Sequence, residues 1–76
     1  MEYEKKILEI INLIQVSRNR TLVSSLNKNI HLRNDIGFDS LDLAEFTVRI
    51  EEEYNIDIFE DSVVNTVEEV ILKLQK

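Results

Sequence analysis

The sequence has no cysteine, no proline and no tryptophan, and one glycine and one histidine in 76 residues. Without cysteine there is no disulfide framework and no zinc–thiolate site. With no proline and glycine only at Gly37, no linker, repeat or low-complexity tract divides the chain. A single domain over residues 1–76 is therefore expected. No apolar run approaches the roughly 18 residues of a membrane span. Residues 1–6 mix both charges and lead into an amphipathic pattern, unlike a signal peptide, so a cytoplasmic location is expected. His31 has no second histidine or cysteine to work with, and the acids of 51–61 lack the EF-hand pattern and its turn glycine. No metal site is expected. Nor is a catalytic residue: there is no glycine-rich phosphate loop and no nucleophile–base pair. A domain this small also has little room for a deep catalytic cavity.

Charge is present and unevenly placed. The net charge of -6 divides into +3 over residues 1–34, -9 over residues 35–61 and 0 over the rest. A negative middle third repels nucleic acid, so no nucleic-acid partner is expected, and it attracts basic proteins. Taken alone, an acidic stretch of this kind is just as well a solvated face.

Hydrophobic spacing gives helices. Tyr3, Ile7, Ile10, Ile11 and Ile14 share one helical face over residues 3–16. Residues 17–38 read as a long polar connection, pinned by Leu22, Val23, Leu26, Ile30 and Leu32, with 21–27 a candidate helical turn. The second helix is expected over 39–54, with Asp39 as N-cap, Asp42 in the first turn and Asn55 as terminator. Residues 56–65 read as a connection with a short third helix near 61–65. Thr66 and Glu69 have capping-box spacing, and Val67, Val70, Ile71 and Leu74 follow at i, i+3, i+4 and i+7. The expected fold is all-α, a small four-helix bundle of three longer helices and a short third one.

The second helix has two apolar faces. Leu43, Phe46, Ile50 and Tyr54 form one stripe, expected to face the core. Leu41, Ala44 and Val48 cluster on the other side, edged by Glu45 and Glu52 and bordered by Asp42, Arg49 and Glu51. A helix at the edge of a small bundle buries one face, so the second stripe is expected at the surface. An apolar strip edged with charge suits a protein partner, with contact for affinity and charge for steering.

The run Asp35-Ile36-Gly37-Phe38-Asp39-Ser40-Leu41-Asp42 resembles the attachment site of acyl carrier proteins, and the likeness continues through 50–58 and 66–70. The resemblance implies a free-standing carrier holding acyl groups as thioesters on a covalent 4′-phosphopantetheine arm joined to Ser40, with Gly37 and Asp39 shaping the site. It implies a phosphopantetheinyl transferase and acyl-processing enzymes as partners, met through Leu41, Asp42, Ala44, Glu45 and Val48. It also implies an acyl-chain cleft bordered by Phe46, Ile58, Phe59, Val64 and Val67. The work served is fatty-acid, polyketide or related specialised synthesis, by a monomer that is not itself an enzyme. The motif has a physical rationale: a phosphodiester on a serine favours an exposed helix N-terminus, whose free N–H groups suit an anion. The rival reading is an unmodified acidic helical module that binds a basic protein. It shares the acidic helix but gives no reason for Gly37-Phe38-Asp39-Ser40.

Overall fold

The structure, a computed structural model, describes residues 2–59 and 64–75. Its elements in chain order are α1 (Glu2–Ser17), a π-helical turn (Leu32–Ile36), α2 (Ser40–Tyr54) and α3 (Val67–Leu74). The described residues form no strand; one isolated antiparallel bridge joins His31 to Thr66. The expected all-α bundle is the observed one. Of the short helix expected at 61–65, residues 61–63 lie outside the described residues, and Val64 and Asn65 are not helical. A helical element that the spacing does not predict, the π-helical turn, lies just ahead of α2, inside the expected loop.

The isoleucine stripe of α1 is what builds the core. Ile7, Ile10, Ile11 and Ile14 are buried against Phe46 and Ile50 of α2 and Val67, Val70, Ile71 and Leu74 of α3. Leu32, Phe38, Ile58 and Val64 join them from the connections. Each such side chain contributes roughly 1.5–3 kcal/mol when fully buried. Leu43 and Tyr54, expected in the core stripe of α2, are half-buried at its margin. The Tyr3 ring meets Tyr54 at 5.7 Å between centroids, while Arg18 at the other end of α1 pairs with Asp42. α1 and α2 are therefore antiparallel.

The long connection is held by Val23, Leu26 and Ile30 packed against the core, by Leu32 within it, and by polar bonds. Asn12, half-buried on α1, clamps both backbone groups of Val23: its Nδ2 donates to the carbonyl (2.9 Å) and its Oδ1 accepts from the N–H (2.8 Å). Residues 21–27 are irregular rather than helical, and Leu22 is exposed rather than an anchor. Leu22 lies instead at the rim of an open surface groove that it shares with Leu8, Leu13 and Val16 of α1. Further on, residues 28–32 run along the start of α3. Val67 N–H donates to the Ile30 carbonyl (3.0 Å), Glu68 N–H to Lys28 (3.1 Å), and Leu32 N–H to Asn65 (2.8 Å). Glu69 N–H finds the Thr66 hydroxyl (3.2 Å), and the Glu69 carboxylate returns to Thr66 N–H, the expected capping box. The orphan donors of the α3 N-terminus are thus satisfied by the loop and the cap. The bonds from the Asn65 and Thr66 N–H groups hold the Glu69 carboxyl below its ordinary range.

Candidate functional site

The site is assembled by two chain reversals. The first ends α1. Asn19 takes the left-handed conformation (φ 60°), Arg20 N–H bonds the Gln15 carbonyl (2.8 Å) and Asn19 N–H bonds Val16 (3.0 Å), a Schellman-type stop. Buried Gln15 reinforces it through the Thr21 carbonyl (3.0 Å). This turn directs Arg18 and Arg20 toward the start of α2.

The second reversal leads into α2. His31 caps the π-helical turn, its Nδ1 accepting from Asn34 N–H (3.2 Å) while its own N–H donates to Asp35 (2.7 Å). This is a structural role for the lone histidine. Gly37 closes the turn at φ 92°, ψ 22°, with its N–H on the Leu32 carbonyl. A Cβ there would meet no atom within 4 Å, so the requirement for glycine is conformational rather than steric. Phe38 then drops into the core, 5.9 Å from Phe46 between ring centroids.

Asp39 and Asp42 cap α2 reciprocally: Asp42 N–H donates to Asp39 Oδ1 (2.9 Å) and Asp39 N–H to Asp42 Oδ2 (3.0 Å). Ser40 follows as the first helical residue, exposed, and Leu41 is 73 % exposed beside it. The first turn of α2 is thus fixed from beneath while its serine stays open to solvent.

Asp42 departs from expectation. It was expected among the partner-facing residues, but its side chain is wholly buried. Arg18 Nε meets Oδ1 at 2.8 Å and Arg20 Nη1 meets Oδ2 at 2.8 Å. Burial pushes its carboxyl pKa up, but the Asp39 N–H and the Arg20 and Arg18 guanidiniums outweigh that and hold it below the usual range. Asp42 is therefore a structural anchor. Glu45 is half-buried and bracketed by Arg18 Nη2 (3.1 Å) and Arg49 Nη2 (3.0 Å). Leu41, Ala44 and Val48 are exposed, as expected of the second apolar stripe.

On the other side of that stripe, Ser40, Leu43, Ala44, Thr47 and Phe59 line a shallow open groove of about 260 Å³. Of the residues expected to border an acyl-chain cleft, Phe59 lines this groove. Phe46, Ile58, Val64 and Val67 are buried in the core. Nothing in the sequence pattern assigns Arg18, Arg20, Leu43 or Thr47 to the site. The only advance signal for the arginines was the basic excess of residues 1–34 facing an acidic middle third.

Residues 9–72 match the family model described as "Phosphopantetheine attachment site". The chain is 37% identical to an acyl carrier protein of Cyanidium caldarium, an alignment covering 99% of this chain and 86% of that protein. It is 32% identical to one of Phytoplasma australiense (92% and 95% covered) and 30% identical to one of Porphyromonas gingivalis (99% and 94%). No solved structure matches the chain significantly. A match to the attachment-site model over most of the chain, with relatives aligned along nearly its whole length, means that this chain belongs to the acyl carrier protein family.

Proposed function

We propose that Ser40 is the residue that carries the arm, and that residues 1–76 act as one carrier domain. Members of this family hold 4′-phosphopantetheine covalently and are carriers rather than catalysts. Their work implies encounters with a phosphopantetheinyl transferase and with acyl-processing enzymes. When attached, the arm supplies a thiol that holds an acyl group as a thioester. What this chain contributes is presentation. The observation that carries the assignment is Ser40 itself, an exposed hydroxyl on the first residue of a doubly capped helix. A phosphate ester there sits at the positive end of the helix dipole, on a backbone that the cap holds fixed.

Around Ser40, the exposed Leu41, Ala44 and Val48 are the proposed contact surface for partners, with Glu45 at its edge. The groove formed by Leu43, Ala44, Thr47 and Phe59 is the proposed resting place for a short acyl chain. A longer chain would have to part Phe46, Ile58, Val64 and Val67, and opening a packed core offsets the gain of about 0.8 kcal/mol per buried methylene. Stability should therefore rise with the first few carbons of an acyl series and then level off. A steady climb out to long chains would refute the shallow-groove reading. No helix among the described residues is long and apolar enough to cross a membrane. The carrier is proposed to act as a cytoplasmic monomer in fatty-acid, polyketide or related specialised synthesis. The unmodified interaction module is not favoured.

The test is intact mass after incubation with coenzyme A and a broad-range transferase. Wild type should gain one phosphopantetheinyl group and Ser40→Ala none. Modification of Ser40→Ala would move the site elsewhere. An unmodified wild type, tried with several transferases, would remove the reading.

A further inference from the structure

The shallow groove beside Ser40 has hydroxyls at its two ends and apolar side chains between them. Ser40, Leu43, Ala44 and Thr47 line one side, spaced i, i+3, i+4 and i+7 on α2, and Phe59 lines the other. From Ser40 to Thr47 is about 10 Å along the helix axis. The phosphopantetheine arm is longer than that span, so its thioester end can return to any point of the groove. Leu43 and Phe59 are half-buried against the core, and Phe46 and Ile58 behind them are fully buried. The groove is therefore short and closed at its floor. None of its five described lining side chains is charged, so a neutral cargo suits it better than an ionised one.

Thr47 makes this groove more than an apolar slot. Its hydroxyl donates its one hydrogen to the Leu43 carbonyl (2.8 Å), so toward any other group the oxygen acts only as an acceptor. Such a back-bond is common for a helical threonine and has no function by itself. Here both of its partners line the groove that starts at Ser40. A saturated acyl chain laid over Thr47 would strip water from that oxygen and give nothing in return, which costs free energy. An acyl group with its own O–H would replace the lost water. We infer that Thr47 is a specificity-determining residue, and that the groove selects short acyl groups bearing a hydroxyl near the thioester, which donates to Thr47 Oγ1. The inference rests on the reading of Ser40 and of the groove given above, and it narrows the class of cargo.

The experiment loads the apo-protein from coenzyme A, butanoyl-coenzyme A and 3-hydroxybutanoyl-coenzyme A with a broad-range transferase, and intact mass verifies each form. Thermal unfolding then compares the three forms of wild type, Thr47→Val and Thr47→Ser, after circular dichroism of each apo variant. Valine keeps the branched shape and removes the acceptor; serine keeps the acceptor. In wild type the 3-hydroxybutanoyl form should melt about 4 °C above the butanoyl form, the worth of one net hydrogen bond in a domain of this size. Thr47→Ser should preserve that difference and Thr47→Val should abolish it. Equal melting temperatures for the two wild-type acyl forms would overturn the inference, whether or not the variants fold. So would a difference that survives Thr47→Val. A loss on Thr47→Val that is already complete in the unacylated form would also overturn it, because an amide N–H of the arm would then be the donor. A wild type that gains no mass from any of the three would instead remove the underlying reading of Ser40.

Discussion

The start of α2, counted with its cap Asp39, and the last turns of the helix hold three carboxylates each, and the structure uses them differently. Asp39, Asp42 and Glu45 are bound up in a capping box and a set of arginine pairs, with Asp42 wholly buried. Glu51, Glu52 and Glu53 are exposed, with one long contact to Lys6 among them. The same residue types serve in one place as fasteners and in the other as field. A carboxylate that accepts several directed hydrogen bonds loses its reach into solvent but fixes the elements that donate to it. Ser40, the proposed attachment point, lies on the fastened end. The free charge lies at the other end.

The most forceful way to break this comparison is to substitute one acid at each end. Asp42→Ala removes a helix cap and leaves two guanidiniums without their buried partner. The expected cost is about 3 kcal/mol, a large share of the reserve of a small domain. Glu52→Ala should change stability by less than about 0.5 kcal/mol. Urea unfolding at neutral pH measures both, and equal effects would contradict the division. Acid sharpens the same contrast. The Asp42 and Glu69 pKa values are lowered in the folded state, so their stabilising contribution is fully present above the unfolded carboxylate range. It is lost as pH falls from about 4 through their folded values. Asp42→Asn should flatten that acid limb. Glu52→Gln should leave its shape unchanged.

A smaller effect is expected at the entry to α2. Gly37→Ala must hold a side chain at φ 92° with no steric clash, so the cost is purely conformational, about 1 kcal/mol. Amide exchange would show whether the loosening reaches the Asp39–Asp42 cap, as expected from the Gly37 and Phe38 N–H bonds to the Leu32 carbonyl. Smallest of all is the response to salt. On α2, Glu51 and Glu52 face solvent without an ion pair among the described residues, and screening them with moderate salt should raise the melting temperature by about 2 °C. A much larger rise would mean that the fastened end is under strain from its own charge.

How much of this could be read from the sequence follows the range of each interaction. α1, α2 and α3 were legible because their causes are local: isoleucine spacing, Asp39 and Thr66 as caps, Asn55 as a left-handed stop. The exposed N-terminal turn of α2 that holds Ser40, the proposed attachment point, was legible through the Asp39 cap. Asp42 was misread because helical periodicity assigns a face without knowing which loop covers it. The covering residues, Arg18 and Arg20, come from 24 and 22 positions away, brought there by a left-handed Asn19 in a stretch with no glycine to announce a turn. The π-helical turn was also illegible. It depends on a histidine side chain acting as a cap and on backbone bonds to the start of α3.

The central claim is that Ser40 bears the arm, and one peptide map tests it directly. Trypsin cleaves after Arg33 and Arg49, releasing residues 34–49 with Ser40 as their only serine. Ser17, Ser62 and the pair Ser24 and Ser25 fall in three other peptides. After treatment of wild type with coenzyme A and transferase, the phosphopantetheinyl mass should appear on the 34–49 peptide alone, with fragment ions placing it on Ser40. The mass on any other peptide, or on Thr47 within this one, would contradict the account.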